Sequence, residues 1–495
     1  MSLVPPPAGV KPGLALGLCR QVLGLAPGPG RLLAAVSGGG DSVALLRLLH
    51  HLAPGLGWLL SVAHVDHGLR PGSAGEARFV GELATSLGLP FLTRRVAVRA
   101  KGRAPEEAAR LARRAALLEM AQEAGSQVIA LAHSLDDQAE TVLARALTGS
   151  GPSGLAAMRP LDLPWWRPLL KASRQDLRDY LRGLGQAWRS DPSNQGLGPL
   201  RNRLRHQVLP LARQAINPRT DQALGRLAHI CAQEEDFWQW WCQEQWRVAG
   251  RQEGDSLCLG LDHLTGLPPA ARRRLARFLA ARLTGSGQHL LSGHVEQVLD
   301  LWDGPPGRRL TLPGGLAAAR EHQCLRLYWA GPPAAFQAQL HGPGWLWLPH
   351  LQGWLTVEEC PGPPLLAARG PEAWLPAKAV AWPLIARQPR RGEIFHPLGA
   401  PGAKRLSRVL LDRKVPAWWR PRTVMLEDQK GLWWAAPWSL AGRAKQNHPQ
   451  GPWLRLRLVD TIDPPAYTRF FENAPLNKGL DGVATGMAVK PGDDP

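Results

Sequence analysis

The chain has 495 residues, of which 44% are hydrophobic, and 59 Lys and Arg against 40 Asp and Glu give a formal charge of +19. This length excludes a single ordinary core and predicts two or three domains. The positive excess favours a nucleic-acid partner over simple solubility in an arginine-rich protein, and six cysteines without a C-x-x-C pair argue against a zinc ribbon. Because no apolar run approaches the ~18 residues that span a bilayer, we expect a cytoplasmic protein without membrane contact.

Strand and helix patterns alternate over residues 1–215, which predicts an α/β fold with a Rossmann-like parallel sheet and helices on both faces. The predicted strands are Leu32–Val36, Trp58–Val65, Phe91–Val98 and Gln127–Ala132. The predicted helices are Ser42–Leu52, Gly75–Leu87, Pro105–Ala124 and Asp136–Leu147. Ligands of such sheets bind at the carboxyl ends of the strands, and three polar segments fall there: Ser37–Ser42, His64–Arg70 and His133–Glu140.

The rest of the chain is predicted to form smaller parts. Residues 216–330 form a mostly helical middle domain that ends in strands near Arg309–Leu312 and Cys324–Tyr328. A Gly- and Pro-rich linker follows at 331–344. Residues 345–460 form a small, basic α/β domain with a helix near Leu406–Asp412, and residues 461–495 form a disordered tail.

The loop after the first predicted strand carries the clearest chemical signal. Gly38, Gly39 and Gly40 allow backbone N–H groups to point at a phosphate, and the following helix adds its positive end. The hydroxyls of Ser37 and Ser42 flank these glycines. No Lys follows as in a Walker loop, so the pattern predicts an ATP site of the pyrophosphate-loop type; a glycine-rich turn without a ligand is the alternative.

Carboxylates are concentrated beside this loop and at the fourth strand end. Asp41 is expected to act in catalysis and to help place Mg²⁺ together with phosphate oxygens. Asp136, Asp137 and Glu140 share one face of a predicted helix near its N-terminus. We expect one of the two aspartates to cap the helix and the other to work with Glu140 on a cationic substrate, with Asp137 the working residue.

The motifs, in this order, resemble those of the tRNA(Ile)-lysidine synthetase family of pyrophosphate-loop ATPases. They are SGGGDS at Ser37–Ser42, HVDHGLR at His64–Arg70, AHSLDDQAET at Ala132–Thr141, Gly149–Leu155, Arg167–Leu170, Asp191–Asn194, Arg201–Arg205, Lys404–Leu410 and Lys414–Arg420. The resemblance covers most of the chain and is thin in the middle domain. SGGGDS alone indicates the superfamily, whereas the ordered set indicates the family.

The resemblance implies a ligase that joins free L-lysine to C2 of the wobble cytidine of the isoleucine tRNA with a CAU anticodon. ATP, with Mg²⁺, adenylates the C2 oxygen, which is otherwise a poor leaving group, and the lysine ε-amine then displaces AMP. The product base, lysidine, changes codon reading from AUG to AUA and tRNA charging from methionine to isoleucine. Expected partners are this tRNA and free lysine, and the enzyme is expected to be a monomer or a homodimer.

Histidines at two strand ends are further candidates. The resemblance places His64, His67 and Arg70 beside the nucleotide and the tRNA, with a metal site as the alternative for the two histidines. His133 follows the fourth strand and is expected to contact the nucleotide.

Basic residues are implied at two places. Arg205 matches an arginine of the family's reaction site, and Arg201 and Asn202 are expected to contact substrate, with a surface helix charge as the alternative. In the C-terminal region, a basic stretch that also contains Trp418 and Trp419 is suited to phosphates and exposed bases. Its expected RNA-binding residues are Arg387, Arg390, Arg391, Lys404, Arg405, Arg408, Lys414 and Arg420.

Three other functions are consistent with parts of the pattern. A cytidine thiolase would activate the same oxygen, but it needs a cysteine near the loop, and only Cys19 lies in the catalytic region, upstream of the loop. An amide synthetase that uses ammonia would not need a basic C-terminal domain. A tRNA-binding protein without catalysis would not need Asp41, Asp137 and Glu140.

Overall fold

The structure is a computed structural model, and it divides into two compact units, Met1–Trp238 and Gln239–Pro495. It describes residues 7, 9–24, 26–66, 73–96, 105–189, 200–264, 266–285, 290–331, 335–349, 351, 353–362, 372–416, 418–445 and 451–459. The predicted tail 461–495 and two candidate site residues, His67 and Arg70, lie outside these ranges. None of the helices formed by the described residues has the length and hydropathy that a membrane span requires.

The first unit contains one six-stranded sheet and most of the helices. Its strands are β1 (Gly30–Ala35), β2 (Trp58–Asp66), β3 (Phe91–Arg95), β4 (Val128–Ala130), β5 (Leu161–Asp162) and β6 (Trp165–Trp166). Its helices are α1 (Pro12–Leu23), α2 (Gly40–Leu56), α3 (Ser73–Ser86), α4 (Pro105–Glu123), α5 (Leu135–Leu147), α6 (Pro152–Leu155), α7 (Arg174–Gly183), α8 (Leu200–Arg203) and α9 (Leu209–Ala215), with a π-helical segment at Leu204–Val208. Helix α10 (Thr220–Ala249) runs across the boundary into the second unit.

The sheet has the strand order β3-β2-β1-β4-β6-β5, and all pairs except β5 with β6 are parallel. Apolar residues cover both faces, as a buried parallel sheet requires. One cluster joins α2 and α7 to the sheet through residues such as Leu46 and Leu177, and another joins α4 through Met120 and Ile129. The chain runs from β1 to β2 and β3 on one side of the sheet and then crosses to β4 on the other side of β1, so a ligand is expected at the carboxyl ends of β1 and β4.

The predicted parallel sheet with helices on both faces is therefore confirmed. All four predicted strands and all four predicted helices of this region are present, with ends that differ by a few residues. The largest difference among the helix ends is in α2, which continues through Pro54 to Leu56 and ends at Gly57, whose φ of +66° suits a glycine.

The middle region is helical as predicted in α10, α11 (Pro269–Thr284) and α12 (Ser292–Asp303), but it also holds a five-stranded antiparallel sheet. The sheet order is β7-β8-β11-β10-β9, formed by Gly250–Glu253, Ser256–Gly260, Cys324–Trp329, Leu316–Arg320 and Arg309–Thr311. Of these strands, the sequence pattern predicts β9 and β11 but not β7, β8 and β10. The sequence of β7 shows no alternation of apolar and polar residues that would predict a strand. The strand lies at the edge of the sheet, and three of its four residues are not buried.

The C-terminal region contains two larger antiparallel sheets. The first is β12 (Gln337–Leu340), β16 (Leu384–Arg387), β19 (Val424–Asp428), β20 (Gly431–Ala436) and β21 (Ser439–Leu440). The second is β13 (Gly344–Leu348), β14 (Gly353–Cys360), β22 (Trp453–Val459) and β15 (Glu372–Pro376). A two-stranded pair, β17 (Ile394–Phe395) and β18 (Lys404–Arg405), precedes α13 (Leu406–Asp412), whose bounds match the predicted helix.

Part of the predicted linker 331–344 is therefore strand. Residues Gln337–Leu340 pair in register with Leu384–Arg387, so that long-range hydrogen bonds order a segment whose local composition indicates a loop. The other predicted domain boundaries remain predictions.

Candidate active site

The glycine-rich loop connects β1 to α2 at the carboxyl end of β1, which is next to β4 in the sheet. Gly38 has a φ of +89°, a conformation that favours glycine, and α2 begins two residues later at Gly40. The Ser42 hydroxyl donates to the Gly39 carbonyl at 2.8 Å and accepts from the Ser37 N–H at 3.2 Å. These contacts fix the curvature of the loop at the N-terminus of a 17-residue helix, where an anion is stabilised by the helix dipole.

The carboxylates of α5 are held by the way this helix begins. Ser134 is the N-cap, and Asp137 completes a capping box by accepting the Ser134 N–H at 2.9 Å through Oδ2. Asp137 is buried and Glu140 is 1% exposed. We predicted that one aspartate caps the helix and the other works. In the structure Asp137 completes the cap and also faces the site, while Asp136 accepts the backbone N–H of Arg174 at 2.9 Å.

Three arginines converge on this acid pair, Asp137 and Glu140. Arg201 Nε lies 2.7 Å from Glu140 Oε2, Arg205 Nε lies 2.7 Å from Glu140 Oε1, and Arg174 Nη1 lies 2.9 Å from Glu140 Oε1. Each arginine also contacts Asp137 Oδ1. A buried carboxylate pair needs such compensation, because an unpaired charge in a low-dielectric environment is costly.

The pKa values of three carboxylates, Asp137, Glu140 and Asp41, are shifted in ways that follow from these contacts. Burial raises the pKa of Asp137, but Arg174 and Arg201 outweigh it and lower that pKa to about 2. The same balance holds for Glu140. Burial raises its pKa, but Arg205 and the other two arginines lower that pKa below its ordinary value. For Asp41, burial dominates over Arg174 and raises the pKa to about 6.

Arg174, which contacts Asp41, Asp137 and Glu140, is a site residue that was not predicted from the sequence. A signal was present, because Arg174 begins the helix that follows β6, and the carboxyl ends of parallel strands meet at one edge. Arg201 and Arg205 lie against the acids, and their predicted roles in substrate contact and in the reaction remain predictions. Asn202 lies beside Arg201 on α8.

Two of the candidate histidines, His64 and His133, lie in the described part of the chain and have different environments. His64 is buried, and its Nδ1 lies 2.9 Å from the Val36 carbonyl, which ties β2 to the start of the glycine-rich loop. His133 has a buried Nδ1 without a hydrogen-bond partner among the described residues, and burial lowers the pKa of its ring to about 4. A neutral imidazole beside the loop is suited to contact a nucleotide.

The basic C-terminal residues need one correction. Arg387 is buried and bonds Glu393 and Glu427, and Trp418 and Trp419 are 1% and 4% exposed, so none of these three can meet RNA as we expected. The two tryptophans belong to the apolar core of the second unit, and the burial of Arg387 is compensated by its two glutamate partners. Arg420 is half-buried and donates to the Val415 carbonyl. The other six predicted residues are exposed: Arg390, Arg391, Lys404, Arg405, Arg408 and Lys414.

The sheet carries an anion-binding loop at its switch point, and carboxylates paired with arginines lie beside this loop. These features define an ATP-using enzyme of the pyrophosphate-loop class. A family model described as "PP-loop domain" matches residues 19–212, and one described as "TilS substrate C-terminal domain" matches residues 384–458. A tRNA(Ile)-lysidine synthase of Dehalococcoides mccartyi is 33% identical, with 85% of this chain and 94% of that one covered. Those of Geobacter sulfurreducens (35% identical, 82% and 88% covered) and Thermus thermophilus (40% identical, 62% and 58% covered) are also similar.

The chain therefore belongs to the tRNA(Ile)-lysidine synthase family, as the sequence motifs indicated. This assignment favours lysine ligation over the thiolase alternative. It also means that ATP use and a tRNA substrate are properties of the enzyme's family.

Proposed function

We propose that the enzyme joins the ε-amine of free L-lysine to C2 of the wobble cytidine in the CAU-anticodon isoleucine tRNA. The C2 oxygen attacks the α-phosphorus of ATP and releases pyrophosphate; the lysine amine then attacks C2 and AMP leaves. The observation that carries the proposal is the juxtaposition of the glycine-rich loop with the buried acid pair Asp137 and Glu140 at one sheet edge. We expect this reaction in the cytoplasm, where tRNA and ATP are found, by a monomer or homodimer.

The loop performs the first half of the reaction. Backbone N–H groups of Gly38–Gly40 and the hydroxyls of Ser37 and Ser42 stabilise the charge that develops on the leaving pyrophosphate. The half-buried carboxylate of Asp41 in the first turn of α2 fits Mg²⁺, because a carboxylate with phosphate oxygens is its usual environment. Bound there, Mg²⁺ would neutralise phosphate charge. His133 contacts the nucleotide through its buried, unpartnered ring nitrogen.

The acid pair performs the second half. The ordinary pKa of an ε-amine near 10.4 leaves only roughly one molecule in a few thousand unprotonated at neutral pH, so the ammonium must be bound and deprotonated. Ionised Asp137 and Glu140 bind it, Asp136 extends the anionic surface, and these carboxylates pass the proton of the ammonium to solvent as the amine attacks C2. Because arginines already pair with both carboxylates, the ammonium must replace one of the guanidinium contacts. Arg201 is the arginine that it replaces, because 41% of the Arg201 side chain is exposed, more than for the other two.

The tRNA contacts are assigned to exposed cations of the C-terminal region and to residues near the acid pair in the first unit. Arg390, Arg391, Lys404, Arg405, Arg408 and Lys414 bind phosphates. Asn202 and Arg205, near the acid pair, are assigned to the cytidine, whereas His64 is buried against the Val36 carbonyl and supports the start of the loop. His67 and Arg70, outside the described residues, remain predicted substrate contacts.

The test is direct transfer of label. The full-length protein is incubated with ATP, Mg²⁺, ¹⁴C-lysine and a CAU-anticodon isoleucine tRNA transcript, and label is sought in the RNA. A transcript with uridine at the wobble position is the matched control. Without lysine, α-³²P-ATP should label the RNA as an adenylyl intermediate. Lysine-independent incorporation of ³⁵S, or no ¹⁴C in the cytidine transcript, would overturn the proposal.

A further inference from the structure

Arg174 occupies a unique place among the three arginines of the site. It is the first residue of α7, directly after the N-cap Ser173, whose capping box with Asp176 fixes where the helix begins. Leu177 and Leu181 of the same helix are completely buried in the cluster that includes α2. The backbone that carries Arg174 is thus anchored to the helix that follows the glycine-rich loop.

The contacts of Arg174 join two parts of the site. Its Nε lies 3.4 Å from Asp41 Oδ2, its Nη1 lies 2.9 Å from Glu140 Oε1, and its Nη2 contacts Asp137 Oδ1. Its backbone N–H donates to Asp136. Of the three arginines, it is the one whose described contacts include Asp41. It is also the least exposed, at 15% of its side chain against 23% for Arg205 and 41% for Arg201.

We propose that Arg174 is a positioning residue that couples the glycine-rich loop to the acid pair and stays in place when lysine binds. This inference rests on the proposed function, since the acid pair is assigned there to the lysine ammonium. One planar guanidinium, held at Asp41 and at both acids, sets the separation between the nucleotide and the attacking amine. Alignment of this kind determines how often bound reactants reach an attack geometry.

The chemistry requires arginine at this position. A guanidinium has five N–H donors in a fixed fork and can serve three carboxylates at once, whereas an ammonium is a point charge on a flexible stem. Lysine at position 174 would retain the charge but could not hold the loop and both acids together. Charge and alignment are therefore separable by substitution.

The test compares R174K, R174Q and, as a matched control, R182A. Arg182 lies on the same helix, is 58% exposed and pairs with Asp179. For each full-length protein, kcat, the KM for lysine, the KM for ATP and Tm are measured. We expect R174Q to raise the KM for lysine at least about tenfold and to lower kcat about 100-fold, with the KM for ATP within about threefold of wild type. R174K should restore most of the lysine KM but not kcat, and R182A should behave as wild type.

Two results would overturn the inference. One is a wild-type kcat in R174K, which would show that charge suffices. The other is an equal loss for lysine and ATP together with a lowered Tm, which would indicate a purely structural role. If R174Q does not fold, R174K alone decides by its kcat. Absence of lysine transfer by the wild-type enzyme would instead count against the proposed function, so the two failures are distinguishable.

Discussion

Glu140 shows how a residue's chemistry depends on its surroundings. It is 1% exposed, yet its two carboxylate oxygens accept from Arg174, Arg201 and Arg205. Its pKa is lowered despite burial, so it is ionised throughout the physiological range. A permanently ionised carboxylate in a protected site is what capture of a lysine ammonium requires.

The first prediction concerns the substitution E140Q. It keeps the shape of the side chain and removes the charge, so the lysine ammonium loses a partner and three guanidiniums lose part of their compensation. We expect lysine transfer to fall by about 10²–10³-fold. E119Q, on an exposed residue of α4 that pairs with Arg94, is the control. Label transfer at wild-type rate in folded E140Q would remove Glu140 from the mechanism.

The second prediction concerns His133 and pH. Burial lowers the pKa of its ring to about 4, below the 6.5 of an exposed histidine. As pH falls, His133 therefore takes up its proton at a higher pH in the unfolded chain than in the folded protein. The folded state loses stability as pH falls from 6.5 toward 4. The difference between the two pKa values corresponds to about 3 kcal/mol. The free energy of unfolding of H133Q, relative to that of wild type, should therefore increase by about that amount between pH 7 and pH 4. Calorimetric unfolding of the first unit measures this difference. A constant difference across this range would contradict the assignment.

At the scale of elements, the glycine-rich loop has a defined backbone requirement. Gly38 has a φ of +89°, which an L-residue with a Cβ adopts only with strain, whereas Gly39 has a φ of −72° and space for a Cβ. The third prediction is that G38A destabilises the ligand-free first unit by about 1–2 kcal/mol, while G39A changes it by less than about 0.5 kcal/mol. Thermal unfolding of both variants without ATP measures this. Equal effects would show that φ is not the cause.

Sequence periodicity predicted the elements of the catalytic sheet because their burial pattern is local. Leu32, Leu33 and Ala34 form a short apolar run, and α2 buries one residue after another between the sheet and α7. Strand β12 could not be predicted, because pairing with β16 orders it rather than its own composition. The site was predictable as far as the acids and Arg201 and Arg205.

Arg174 escaped prediction because its partners are far away in sequence. Its side chain meets Asp41 across a separation of 133 residues, and its place after β6 indicates nearness to the site but not this pairing. The buried tryptophans were misassigned for the related reason that composition does not report burial. Trp418 packs edge-on against Trp419 and under the guanidinium of Arg422, inside the core.

At the scale of the whole molecule, the chain carries a net charge of +19, and six exposed cations of the C-terminal region are assigned to tRNA. Removal of the C-terminal region is a poor test of this assignment. Residues Ala317 and Tyr328 of the middle sheet share one apolar cluster with Leu348 and Leu384, so a cut before residue 345 would expose a core. Surface charge substitutions leave that core intact.

The fourth prediction is therefore a combined variant, R391Q/K404Q/R405Q/K414Q. All four side chains are exposed, and each phosphate contact contributes about 0.7–0.9 to the slope of log affinity against log salt concentration. We expect tRNA to bind more weakly at low salt and the slope to decrease by up to about three. The control variant R247Q/R273Q removes exposed charges elsewhere in the second unit. Identical slopes for the fourfold variant and wild type would place the RNA on another surface.

The capping box at the start of α5 has a consequence for how this enzyme can change over time. Active-site charges commonly reduce the stability of a fold, so that their loss trades activity for robustness. Asp137 is different, because the carboxylate that faces substrate also secures the first turn of its helix through Ser134. A chain that lost Asp137 would gain no stability in exchange for its lost activity. Drift toward a folded but inactive relative is therefore disfavoured at this position by the fold itself.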